Sequence, residues 1–168
     1  YLEALGMPLI PWQPLEDEPI PKNVKGIIIP GGFPEQYAEQ LSQATRSLKD
    51  LRFNYNKLPI YAECGGMLLL GISLSDINGK SFPMAGLLPF HASKGSLKVG
   101  YRFIKTKKDS LIAKNGEKLI GHEFHRWKII HTEKQNNFIE KAHQSKKAEH
   151  ITAPWTIEGW GIEKEEEG

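Results

Sequence analysis

The apolar run from Leu58 to Ala62 passes through Glu63 and Cys64 into Gly65-Gly66 with no linker. A buried strand that becomes a helix this abruptly must turn sharply. The turn residue is pushed out over the sheet edge, and the small residues after it make room. The run from Val24 to Ile29 ends in the same way, at Pro30-Gly31-Gly32, and suits a buried parallel strand. Pro34 and Glu35 then suit a first helical turn, where proline loses no hydrogen bond and an acid complements the positive helix end. Tyr37, Leu41, Ala44, Leu48 and Leu51 recur at helical spacing and predict one face packed on the sheet. Strand, helix, strand and helix in this rhythm predict an α/β fold with a parallel sheet and right-handed crossovers.

The flanks are less regular. Tyr1 to Leu5, followed by Gly6, reads as the last turn of a helix with a glycine stop. Pro8 to Trp12 is a candidate short strand, and Gln13 to Asn23 a Pro- and acid-rich loop. In the second half, Asn78-Gly79 between short alternating runs signals a hairpin. Leu97 to Thr106, Lys118 to His125, Trp127 to His131 and Trp155 to Ile162 read as further strands, with a polar, Lys-rich loop over 133–150. Residues 1–162 form one expected domain, and 163–168 an acidic tail or cut end.

Twenty-two Lys+Arg against 20 Asp+Glu give the 168 residues a net charge of +2, which argues against a nucleic-acid surface. No apolar stretch approaches 18 residues, so no membrane partner is expected, and a cytoplasmic location is the default. Asn78-Gly79-Lys80-Ser81 echoes the end of a phosphate-binding loop, but position 74, where the earlier glycine must fall, is Leu.

Chemistry centres on the single cysteine, which rules out an internal disulfide or a Cys-pair zinc site. Two readings of Cys64 fit the pattern. As a nucleophile on a sharp turn it would gain from the helix N-terminus, which favours thiolate. The Gly65 N–H would then be a donor for an oxyanion, with a second set from Gly31-Gly32. As an inert thiol it would be a small buried hydrophobe, with the glycines merely serving turns. A thiol nucleophile needs a histidine. His143 and His150 lie in the polar loop, and His91 has nothing to recommend it. In Gly121-His122-Glu123-Phe124-His125, residues 123 and 125 share one strand face, so the acid could orient the imidazole while His122 faces away. The histidines are three apart on strand-like flanks, which is not the zinc-helix pattern, and no metal site is expected.

Gly31-Gly32-Phe33-Pro34-Glu35, Tyr61-Ala62-Glu63-Cys64-Gly65-Gly66 and Gly121-His122-Glu123-Phe124-His125, in this order and spacing, resemble the glutamine amidotransferase domain of the cobyrinic acid a,c-diamide synthases. Pro83-Met84-Ala85-Gly86-Leu87-Leu88-Pro89 and Gly100-Tyr101-Arg102 extend the likeness, which runs from Leu5-Gly6 to Glu158-Gly159. The resemblance implies a flavodoxin-like class I amidotransferase fold, a mostly parallel sheet flanked by helices.

It also implies that Cys64 attacks the side-chain amide of glutamine to give a γ-glutamyl thioester and ammonia. His125 would be the proton-transfer partner, and Gly31, Gly32 and Gly65 would hold the oxyanion. Many class I enzymes carry a glutamate two residues after the histidine, where this chain has Trp127. That leaves Glu123 as the third member, or a Cys-His dyad. The family further implies an N-terminal synthetase domain that binds ATP and Mg²⁺ and amidates a corrinoid; this chain itself needs no cofactor. By that comparison a first strand before Tyr1 and a closing strand after Gly168 are expected to be missing, making the chain a fragment truncated at both ends. Two other readings stay open: a glutaminase serving a nickel tetrapyrrole or cell-wall precursor, and a non-catalytic docking domain.

Overall fold

The computed structural model describes residues 1–132 and, as a strand, 155–163. The chain divides into two compact units, Tyr1–Ser93 and Lys94–Gly168.

In the first unit, β1 (Ile27–Ile29) pairs in parallel with β2 (Ile60–Ala62), Ile28 opposite Tyr61. Parallel neighbours need a long crossover. Here it is a 3-10 turn over Pro34–Tyr37, then α1 (Ala38–Gln43) and α2 (Thr45–Asn54). The periodicity predicts one continuous helix, but the chain breaks at Ala44, whose ψ is 67°. The cause lies upstream. Asp17 Oδ1 accepts the backbone N–H groups of Arg46 at 2.7 Å and Ser47 at 3.0 Å. A carboxylate from another segment thus caps α2 and gives it a start of its own. Leu41, Ala44, Leu48 and Leu51 are buried as expected, with Leu51 fully enclosed. Tyr37 is not: three residues per turn in the 3-10 segment put it out of phase, and it is exposed.

β2 leads through Glu63 and Cys64 into the single turn of α3 (Gly65–Leu68). Leu68, Leu69 and Leu70 are buried. β3 (Ser73–Ser75) and β4 (Ser81–Pro83) form the expected antiparallel hairpin. Asp76 Oδ1 accepts the N–H groups of Asn78 and Lys80, and Gly79 supplies a φ of +85° that a side chain would resist. β3 also pairs in parallel with the start of β5 (Phe90–Thr106), Ser73 opposite His91. Arg52 of α2 donates to the carbonyls of Ala85 (2.8 Å) and Met84 (3.0 Å), tying helix to the segment after β4.

The second unit is built on the rest of β5, on β6 (Lys118–His131) and on β7 (Trp155–Glu163). β5 borders both others, and its pairing with β7 is antiparallel, Gly100 opposite Gly161. The two strands expected around His125 and Trp127 are one. β6 alternates exposed and half-buried residues from Lys118 to Ile130, the mark of a strand with one wet face. The loop expected over 133–150, with His143 and His150, lies outside the described residues, as does the tail after 163. Pro8 to Trp12 is not a strand; two prolines there remove ladder donors, and the Trp12 indole N–H donates to the Glu18 carbonyl instead. Tyr1 to Gly6 matches its expectation, as a 3-10 turn stopped by Gly6 at φ +80°.

The architecture is therefore mixed α/β with parallel pairing at β1–β2 and β3–β5. Among the described residues no helix is long and apolar enough to cross a membrane.

Candidate active site

The Cys64 turn is as sharp as its sequence requires. Glu63 still belongs to the ladder, its N–H donating to the Ile29 carbonyl at 3.2 Å. One residue later Cys64 has φ +48° and ψ −124°, and Gly65 opens α3. Cysteine has no intrinsic preference for this region, so the surroundings enforce it. Those surroundings are backbone. A Cβ placed on Gly65 would run into the Gly32 carbonyl and sit 2.7 Å from Pro34 Cδ. One on Gly66 would collide with the Ile29 carbonyl and lie 2.5 Å from that of Pro30. The Pro30–Pro34 turn thus packs directly on the elbow, and the two glycines permit that approach.

Cys64 is exposed, which disposes of the buried-hydrophobe reading. Gly31 lies against it: a Cβ there would be 3.3 Å from Cys64 Cβ and 3.8 Å from Sγ. Among the described residues the Gly65 N–H has no backbone partner, whereas those of Gly66 and Met67 close onto Glu63 and Cys64 carbonyls. α3 is four residues long, so it offers the thiol orphan N–H groups rather than a long dipole. Beside the cysteine, Tyr61 donates its hydroxyl to Glu63 at 2.8 Å. That hydrogen bond, helped by burial and the carboxylate's charge, holds the Tyr61 pKa above the usual phenol value. Burial likewise raises the carboxyl pKa of Glu35, on the turn that packs against Gly65.

The second unit carries the histidine motif. His125 Nε2 lies 2.6 Å from Glu123 Oε1, the same-face contact expected from their spacing. Its Nδ1 lies 2.8 Å from the Trp127 carbonyl, so both ring nitrogens face acceptors. Arg102, on β5, places Nε 2.6 Å from the other Glu123 oxygen. Burial tends to raise the Glu123 pKa, but the His125 hydrogen bond and the Arg102 charge outweigh it and leave the carboxyl below its ordinary range. His122 faces the opposite side, edge-on to Tyr101 at 5.3 Å between ring centres. Sequence reasoning noted Arg102 only as part of a motif; the absence of any fixed spacing to Glu123 hid the contact. His91, which the sequence set aside, lies within 2.7 Å of the Ser73 hydroxyl through Nδ1 and serves the β3–β5 pairing.

A parallel β–α unit thus ends in a strained, exposed cysteine backed by glycine turns. The chain belongs to the CobB/CobQ-like glutamine amidotransferase domain family, whose model matches residues 1–161. It is similar to the cobyrinate a,c-diamide synthase of Synechocystis sp., 43% identical over 128 residues, covering 74% of this chain and 26% of the relative. The synthases of Caldanaerobacter subterraneus subsp. tengcongensis and Salmonella typhimurium are each 38% identical over 127 residues, covering 74% of this chain and 28% of theirs. The chain thus spans about a quarter of the length of the curated relatives it matches.

Proposed function

We propose that this chain is the glutaminase part of a cobyrinate a,c-diamide synthase. Cys64 Sγ attacks the side-chain amide carbon of glutamine, and the carbonyl oxygen takes up the negative charge. The Gly65 N–H, with N–H groups of the Gly31-Gly32 turn, receives that oxyanion. Collapse breaks the C–N bond and expels ammonia, which takes up a proton as it leaves, and a γ-glutamyl thioester remains on Cys64. Water then attacks the thioester, releasing glutamate and restoring the thiol. His125 is the proposed proton carrier, from thiol to leaving ammonia. It can take up a proton only after a ring nitrogen is released from Glu123 or from the Trp127 carbonyl. Glu123 is the proposed support of the ring.

The ammonia would pass to a separate synthetase part, corresponding to the length of the relatives that this chain does not span. There ATP and Mg²⁺ would activate the a- and c-carboxylates of a corrinoid. The exposed Cys64 at φ +48°, beside a Gly65 N–H with no backbone partner among the described residues, carries the reading.

The test is the intact mass after incubation with a glutamine-mimicking diazoketone. With one thiol in the chain, a single adduct that Cys64→Ala abolishes supports the reading. No adduct on a chain that circular dichroism shows to be folded would overturn it.

A further inference from the structure

The motif Gly100-Tyr101-Arg102 is left without a role by the reading above, yet the second unit sets it against the histidine motif. A Cβ on Gly121 would lie 3.9 Å from Ile104 Cδ1, and two residues back along β5 Arg102 meets Glu123, two residues on along β6. On the other face Tyr101 meets His122.

We infer that Arg102 is a positioning residue, which anchors Glu123 so that its second oxygen fixes the ring of His125. The chain of contacts is continuous: Arg102 Nε to Glu123 Oε2 at 2.6 Å, Glu123 Oε1 to His125 Nε2 at 2.6 Å, and His125 Nδ1 to the Trp127 carbonyl at 2.8 Å. The two gripped carboxylate oxygens leave Glu123 no freedom to rotate. Arg102 and Glu123 side chains are only 14% and 23% exposed, so the pair is shielded from competing water better than a surface ion pair. A guanidinium suits the task, being planar and always charged, and Arg102 also donates to the Tyr101 carbonyl at 3.3 Å. Glu123 then fixes the orientation of the imidazole as carboxylates do for metal-bound or catalytic histidines.

The turnover arm of the test rests on the glutaminase reading; the spectroscopic arm does not. In protein carrying ¹⁵N-labelled histidine, the Nε2–H of His125, assigned with His125→Gln, is expected as a slowly exchanging signal. Arg102→Gln should erase or broaden it, and Arg102→Lys should keep it. Glutaminase kcat should fall about 10-fold in Arg102→Gln with KM within about 2-fold, and recover in large part in Arg102→Lys. In a Glu123→Gln background, Arg102→Gln should add no further loss. Unchanged signal and kcat in Arg102→Gln would overturn the inference, as would a further loss in the double variant. A protein with Cys64 intact and no glutaminase activity would sink the proposed function, while the Nε2–H signal would still decide the role of Arg102.

Discussion

Gly31 and Cys64, at the ends of two paired parallel strands, touch: a Cβ on Gly31 would stand 3.3 Å from Cys64 Cβ. This is tighter than most Cβ contacts, and because Cβ moves only with its backbone, the exposed Cys64 turn itself must give by a few tenths of an ångström. Gly65 is different, since what it faces is the Gly32 backbone and Pro34. Gly31→Ala should therefore fold with a Tm closer to wild type than Gly65→Ala and lose glutaminase activity, as the Cys64 turn is displaced. Gly65→Ala should lose stability, by about 1–3 kcal/mol or more. Urea unfolding of both variants, beside their turnover, separates the two cases. Equal stabilities would refute the packing described at the elbow.

Asp17 should make stability depend on pH in the acid range. The backbone hydrogen bond from Ser47 is the main cause of its lowered pKa, with those from Arg46 adding to it against a smaller desolvation effect. A carboxyl depressed in the folded state stabilises above its unfolded value, near 3.8, and loses that contribution as pH falls through the folded value. The urea midpoint of Asp17→Ala should lie below wild type at pH 7, and the gap should close below pH 3.8. A gap that persists at full size at the lowest pH would assign the loss to something other than the cap.

Tyr61 should ionise later than a free tyrosine because its hydroxyl is bound to Glu63. Ultraviolet titration near 295 nm follows this directly. Glu63→Gln should move one tyrosine's midpoint down toward the ordinary phenol value. An identical titration in the variant would break the link between the two side chains.

Leu51 is wholly enclosed beneath α2, so Leu51→Ala should cost about 2–5 kcal/mol. Chemical denaturation measures it. Phe53, two residues on and exposed, should tolerate alanine within about 0.5 kcal/mol, apart from its contact with Lys57.

His125 and His122 share a strand and face opposite ways, which makes them a matched pair of variants. His125→Ala should reduce glutaminase kcat by about 10²-fold or more, and His122→Ala should leave it within about 2-fold. The reverse pattern would move the proton carrier to the other face of β6.

The elbow was legible because its constraints are local: an apolar run, a turn residue and two glycines leave few ways to build the backbone around Cys64. The Asn78-Gly79 hairpin was legible for the same reason. The Glu123–His125 contact followed from strand periodicity alone. What the sequence hid were relationships between distant residues. No spacing rule joins Asp17 to Arg46 and Ser47, so the break at Ala44 is invisible in the sequence, and nothing in the helical periodicity marks the 3-10 turn that leaves Tyr37 exposed. Arg102 and Glu123 meet only once a strand pairing is known. The merger of two expected strands into β6 has a similar cause, since Arg126 interrupts the pattern only on its exposed face.

The exposed turn at Cys64 has a practical side. It is the single sulfhydryl of the chain and it faces solvent, so disulfide formation has one place to act. Two molecules can become covalently linked only elbow to elbow, a species that would run at twice the mass on a non-reducing gel and return to monomer with dithiothreitol. Harsher oxidation to the sulfinic acid would not be reversed by that reagent. Thiol oxidation of this chain is therefore confined to one atom, and the fraction still titratable with a thiol reagent is a direct count of free Cys64.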